Sequence, residues 1–263
     1  METSGDLKMN PYFYRLWLPL QLVTAVCLAA VIFDVVDLNW LYVVVAWFLI
    51  GPIGSGVGFH KLFSHRQFQT WKPLEYLIAV LGTLACYAPL LLWVSQHQHH
   101  HRITDTDDDI SSPTRHGFLE SFVWWRLRQR VFDNMNFINF CSRAVIKDKF
   151  LMFVSNNFAT INIAFAVALL LWDPFWLVNL YIIPVLIEHT RLNLVSSLCH
   201  MKIPGSYKLF STDDCAYNHV LLGYLTLGFG WHNAHHNDAG ELVNSHRWWE
   251  LDVEGLIAKV ISK

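Results

Sequence analysis

Apolar residues in this chain fall in long runs separated by short polar turns. Residues 16–33 (LWLPLQLVTAVCLAAVIF) and 40–59 (WLYVVVAWFLIGPIGSGVGF) are each long enough, at about 1.5 Å per residue, to cross a hydrocarbon layer of about 30 Å, and positions 34–39 turn one into the other. Residues 157–172 and 175–199 form a second pair with its tip at 172–174. The pattern predicts four transmembrane helices in two hairpins. A fifth run, 73–93, has spanning length as well, whereas 220–229 is too short to cross. Residues 102–150 are polar and carry both charges, so they read as a large segment outside the bilayer. Residues 1–14 read as a flexible tail and 15–263 as one domain. The first apolar run is too long for a signal-peptide core, so no cleaved leader is expected.

Composition agrees with the runs. Of 263 residues, 54% are hydrophobic and only 15% charged, with twelve tryptophans, the balance of an all-α integral membrane protein. The formal net charge of -2, with no basic domain, speaks against a nucleic-acid partner. Five cysteines, Cys27, Cys86, Cys141, Cys199 and Cys215, show no C-x-x-C spacing and read as packed thiols. Neither hairpin tip contains Lys or Arg, so the positive-inside rule places both termini and the 102–150 segment in the cytoplasm.

The histidines change the picture most. Nine of the fourteen lie in three clusters: His60 and His65, then His97, His99, His100 and His101, then His232, His235 and His236. On a helix His97, His100 and His101 stand at i, i+3 and i+4 and share a broad face, and the third cluster repeats that spacing. Grouped neutral imidazoles suit a transition metal. If the clusters serve one centre, His65 and His97 lie on one side of the membrane, and the run 73–93 between them cannot cross. It is expected to be an interfacial or buried helix. His99, His116, His189, His219 and His246 read as packing or surface residues. Of these, His189 stands three turns before His200 on one helix face. No Glu-x-x-His pair or HExxH occurs, which sets aside soluble di-iron bundles and zinc proteases. A histidine-rich metal transporter would distribute ligands along its spans, not collect them at one face.

GFHKLFSHR, WVSQHQHHH, the acid-rich DTDDD followed by SP, Gly117 and Phe118, GWHNAHH, and RWWELD resemble the three histidine boxes and flanking motifs of membrane-bound fatty acyl desaturases of the stearoyl-CoA and acyl-lipid type. The resemblance runs from about Gly54 to Asp252. It implies four transmembrane helices under a cytoplasmic helical cap holding two irons, with O2 as co-substrate. The nine ligand positions it implies are His60, His65, His97, His100, His101, His200, His232, His235 and His236. Asp105, Asp107 and Asp109 are candidates to orient those imidazoles from their distal nitrogens. The family's asparagine that reaches one iron through water is replaced by Ser196, with Asn193 one turn earlier. Trp93 matches a residue at the bend of the acyl tunnel, and Leu192 stands where its threonine partner would be. Ser95 and Gln96 replace an Arg-Asp pair that meets the CoA head group, and Ile110-Ser111 depart from the second box.

The expected activity is O2-dependent insertion of a C=C bond into a fatty-acyl-like chain linked to CoA, a lipid or a carrier protein. Electrons would come from an external donor such as ferredoxin or a cytochrome b5 system. Membrane lipids would contact Trp124, Trp125, Trp231, Trp248 and Trp249 and the basic residues from Arg126 to Lys149. A membrane di-iron hydroxylase or oxidase of the same construction is the alternative, because both reactions begin with the same hydrogen removal.

Overall fold

The structure, a computed structural model, describes residues 18–127 and 143–263. The expected tail 1–14, the first two residues of the first apolar run, Arg128, Arg130 and Cys141 lie outside the described residues. The described residues are mostly helical, with one antiparallel pair among them, β1 (Ser206–Tyr207) with β2 (Asn218–His219).

Helix α1 (Leu18–Ile32) is followed by α2 (Trp40–His65), the one described helix that is by itself long and apolar enough to cross a membrane. Asn39 caps α2, its side-chain oxygen accepting from Leu41 N at 3.1 Å. From Leu49 to His65 the helix is π-wound around Pro52, which lacks the N–H an α-helical turn would use. Helix α3 (Lys72–Leu84) packs on this stretch and α4 (Leu90–Ile103) follows. After two short helical turns at Pro113–His116 and Phe118–Phe122, the chain resumes in α5 (Lys149–Asn156) and α6 (Phe158–Trp172), which meet at 68°. Residues 174–198 form α7, again π-wound over Val178–Ile182. Three short helices complete the fold: α8 (Val220–Leu225), α9 (His232–Asn237) and α10 (Val253–Ile261).

The four apolar runs of the two expected hairpins are all helical, and one residue ties the pairs together. Asn179, buried in α7, accepts from Asn39 N at 2.7 Å and donates to Asp37 O at 2.9 Å. The run 73–93 is not one helix, which corrects the sequence expectation. It breaks between Leu84 and Leu90, where Cys86 takes a left-handed conformation (φ 53°) and Pro89 removes a backbone donor. The first piece, thirteen residues, is too short to cross.

Helix α3 can approach α2 because both carry glycine at the contact. A Cβ on Gly54 would lie 2.4 Å from Gly82 N, and one on Gly82 would lie 2.4 Å from the Phe59 ring.

Behind the contact lies a buried charge network. Arg191 donates to Glu188 (Nε–Oε2 2.8 Å) and to Glu254 (Nη1–Oε1 2.6 Å), Trp47 Nε1 donates to Glu188, and Lys61 faces Asp252 at 3.6 Å. The two cations face three carboxylates, so one proton neutralises the set. Glu254 suits that proton. Its Oε2 is buried without a partner, and burial, with Asp252 nearby, outweighs Arg191 and raises its pKa from 4.5 to about 7. A carboxyl raised on folding stabilises the fold fully below its unfolded value, and that stability is lost as pH climbs through about 7. The thermal midpoint of the solubilised protein is therefore expected to fall by a few degrees between about pH 5.5 and about pH 8. In Glu254→Gln the slope flattens; an unchanged slope in that variant would remove Glu254 as its source.

Candidate metal centre

Three helices and one helix end bring nine histidines to a single region. His60 and His65 come from the end of α2, and the π-winding decides their geometry. An α-helix turns about 100° per residue, so five residues would set His65 about 140° round from His60. Hydrogen bonding from i to i+5 brings them together instead, edge to face, with ring centroids 4.9 Å apart. His97, His100 and His101 come from α4, His200 lies two residues beyond α7, and His232, His235 and His236 belong to α9.

Their Nε2 atoms converge on two points. His60 and His235 are 3.0 Å apart, His65 and His97 2.6 Å, His97 and His101 3.1 Å, and His101 and His235 2.9 Å. These five form one group. The second contains His100, His200, His232 and His236, with His200 to His232 at 3.0 Å and His232 to His236 at 3.1 Å. Within each helix the i, i+4 pair serves one group and the i+3 residue the other. Positions i+3 and i+4 lie about 100° apart around the axis, which aims them at separate centres.

The donor set fits metal ions. Two imidazole nitrogens at right angles, each about 2.1 Å from one ion, stand about 3.0 Å apart. In the second group three Nδ1–H bonds are fixed by carboxylates: His200 to Asp105 at 2.9 Å, His100 to Asp109 at 3.1 Å, and His236 to Asp214 at 2.7 Å. With Nδ1–H turned outward to a carboxylate, each of those rings directs Nε2 inward, and three such atoms aimed at one point suit a cation. Burial and mutual repulsion hold His97, His101, His232, His235 and His236 well below the ordinary histidine pKa, in the ligand form. Burial also lowers that of His100, but Asp109, with Asp105 and Asp214, outweighs it and raises the pKa. Burial opposes ionisation of Asp105 and Asp109; their histidine, serine and backbone partners outweigh it and hold Asp109 down to about 2, with Asp105 also below the usual range.

Of the acidic candidates, Asp105 and Asp109 meet histidines, whereas Asp107 is exposed and faces Arg115 at 3.3 Å. Asp214 carries no local sequence signal. It reaches His236 because the loop after β1 folds back, with Asn233 accepting from Leu209 N and Phe210 N. Asn193 accepts from the Tyr87 hydroxyl at 2.7 Å, away from the histidines, and Ser196 bonds the Asn193 carbonyl. His189 meets the Ala85 carbonyl, His219 accepts from Leu222 N to start α8, and His246 pairs with Glu241.

A cavity of about 110 Å³ opens beside both groups, lined by His97, His100, His232, Leu192, Trp93 and Phe229 among others. Trp93 is stacked on His97 with centroids 5.1 Å apart.

Fold and site together define a helical protein with two imidazole-lined metal positions beside an apolar cavity. The model of the family described as fatty acid desaturase matches residues 38–252. A Nostoc protein named sn-2 palmitoyl-lipid 9-desaturase is 32% identical, over 86% of this chain and 80% of its own length. The sn-1 stearoyl-lipid 9-desaturase of a Synechocystis species is 31% identical over 85% and 70%, and an acyl-CoA C20 Delta5-desaturase of Anemone leveillei 30% over 81% and 67%. The chain belongs to the fatty acid desaturase family: it is an oxidoreductase that introduces double bonds into acyl chains.

Proposed function

We propose that this chain is a multi-pass membrane desaturase that uses two histidine-bound irons and O2 on a lipid-linked acyl chain at the cytoplasmic face. The observation that carries the reading is the convergence of nine inward-facing imidazoles on two points beside one cavity. His60, His65, His97, His101 and His235 hold one iron; His100, His200, His232 and His236 hold the other. When bound, the irons supply O2 activation strong enough to take hydrogen from an unactivated methylene. The overall balance is R–CH2–CH2–R′ + O2 + 2e⁻ + 2H⁺ → R–CH=CH–R′ + 2H2O, with the two electrons delivered by an external ferredoxin or cytochrome b5 system.

The chain's own residues position and exclude. Trp93, Leu192 and Phe229 give the acyl chain an apolar seat against His100 and His232, and keep bulk water from the reacting carbons. Among the described residues that line the cavity there is no Lys or Arg, and Ser95 is spent on the Leu91 and Leu92 carbonyls. A lipid carrier suits that lining better than the phosphates of CoA. The Nostoc and Synechocystis relatives carry lipid-linked names.

The membrane placement rests on four crossings, α1, α2, α6 and α7, with α3 and α4 held at the cytoplasmic surface and both termini inside. Two cap helices support it by being apolar outward. Helix α10 buries Glu254 and Gly255 but exposes Leu256 and Val260; α8 exposes Val220, Leu221, Tyr224 and Leu225. Such faces belong against lipid.

The test is mass spectrometry of total lipids from a desaturase-free host that expresses the full chain with a reductase system. A new double bond in lipid-esterified chains is expected. A hydroxyl in its place would make the protein a hydroxylase, and a product confined to acyl-CoA would overturn the lipid carrier.

A further inference from the structure

The two metal positions differ in what stands behind their ligands. In the group of four, three of the four Nδ1 atoms donate to carboxylates, Asp105, Asp109 and Asp214, each itself fixed by further donors. Asp105 also accepts from Ser112 Oγ and Cys215 N, Asp109 from Ser111 and Asp105 N, and Asp214 from Thr212 Oγ and Ala216 N. The nearby cations do not cancel these charges: Arg115 Nε and Lys208 Nζ reach the backbone carbonyls of Asp105 and Asp214, not the carboxylates. In the group of five, no described carboxylate lies within hydrogen-bond reach of an Nδ1, and those of His60 and His235, like that of His232 in the group of four, are buried without a partner. Lys61, next to His60, is answered by Asp252 at 3.6 Å, so it adds no net charge there.

Ligand count points the other way, since a fifth imidazole also donates to its metal. Charge decides between them. An imidazole is neutral, whereas a carboxylate that accepts its Nδ1–H pushes the ring toward imidazolate and puts an anion behind the bond. Three such anions around one ion and none around the other favour ferric over ferrous iron at one position.

Resting on the di-iron reading above, we infer that the iron held by His100, His200, His232 and His236 is the more easily oxidised of the two, with Asp214 a positioning residue that helps make it so. The pair would thereby be built to be unequal before substrate or O2 arrives.

The test uses the full-length protein in detergent, loaded with two equivalents of ferrous ⁵⁷Fe and titrated with a one-electron oxidant of the ferricenium type. Mössbauer spectra are expected to show two ferrous doublets of equal area, one of which is lost entirely before the other declines. In Asp214→Asn the doublet lost first shifts and the other stays in place. The interval between the two losses narrows, and chelator removes the affected iron about 10-fold faster or more. Asp214→Glu restores the interval. If Asp214→Asn does not fold, the titration of the unaltered protein still decides whether the irons differ, and Asp109→Asn replaces it as the variant that identifies them. Two irons that oxidise in parallel in the unaltered protein would overturn this inference and leave the di-iron reading standing. Protein that binds fewer than two irons would overturn both.

Discussion

His235→Ala is expected to abolish product and to leave the purified protein with about one iron in place of two. His235 is the junction of the five-histidine group: its Nε2 lies 3.0 Å from that of His60 and 2.9 Å from that of His101. The ring is 1% exposed, so alanine leaves a buried void where a ligand was and nothing adjacent can swing in. The loss should be local, because His235 shares no ligand atom with the second group and its helix is anchored independently. Ala234 N donates to Asn218, and Asn233 holds the loop at Leu209 and Phe210. Metal analysis and lipid mass spectrometry on the same preparation check this. His246→Ala, which breaks a partly exposed pair with Glu241 and an edge-on ring contact with Phe210, should keep both irons and full product. Equal activity in the two variants would remove the basis of the site.

Gly54→Ala should be among the most damaging single-methyl changes in the described fold. The added Cβ would lie 2.4 Å from Gly82 N, 2.6 Å from Leu81 C and 2.8 Å from Gly82 Cα, and all three are backbone atoms with no rotamer to yield. Helix α3 has to move off α2, at a cost of at least about 1–3 kcal/mol for overpacking. The damage reaches the metal centre through α2 itself, since Gly54 stands one π-wound turn and a residue before His60. The expected result is a thermal midpoint several degrees lower and incomplete iron loading. Gly117→Ala makes a contrasting control: a Cβ there meets nothing within 4 Å, and its cost comes only from a left-handed φ of 88°. A Gly54→Ala protein as stable as the parent would show that the two helices are not held in contact.

Much of this was legible in the residues taken in order. The apolar runs mark where helices stand, because segment length and apolarity are properties of contiguous sequence. The histidine boxes announce a metal centre, because the i, i+3 and i+4 spacing of the second and third is local geometry on a helix. A metal centre shared by His65 and His97 requires that 73–93 not cross, and the chain there does fail to form a spanning helix.

Contacts between distant segments settled the rest. The break between Leu84 and Leu90 depends on the fit of α3 against α2, which hydropathy does not encode. The sorting of nine histidines into five and four follows from the 100° between i+3 and i+4 only once α4 and α9 face each other across the centre. His60 and His65 meet through π-winding, where α-helical spacing would have turned them apart. Asp214 lies 22 residues from the histidine it orients, and no periodicity connects them. It is the fold that brings their charges together, and with them the difference between the two metal positions.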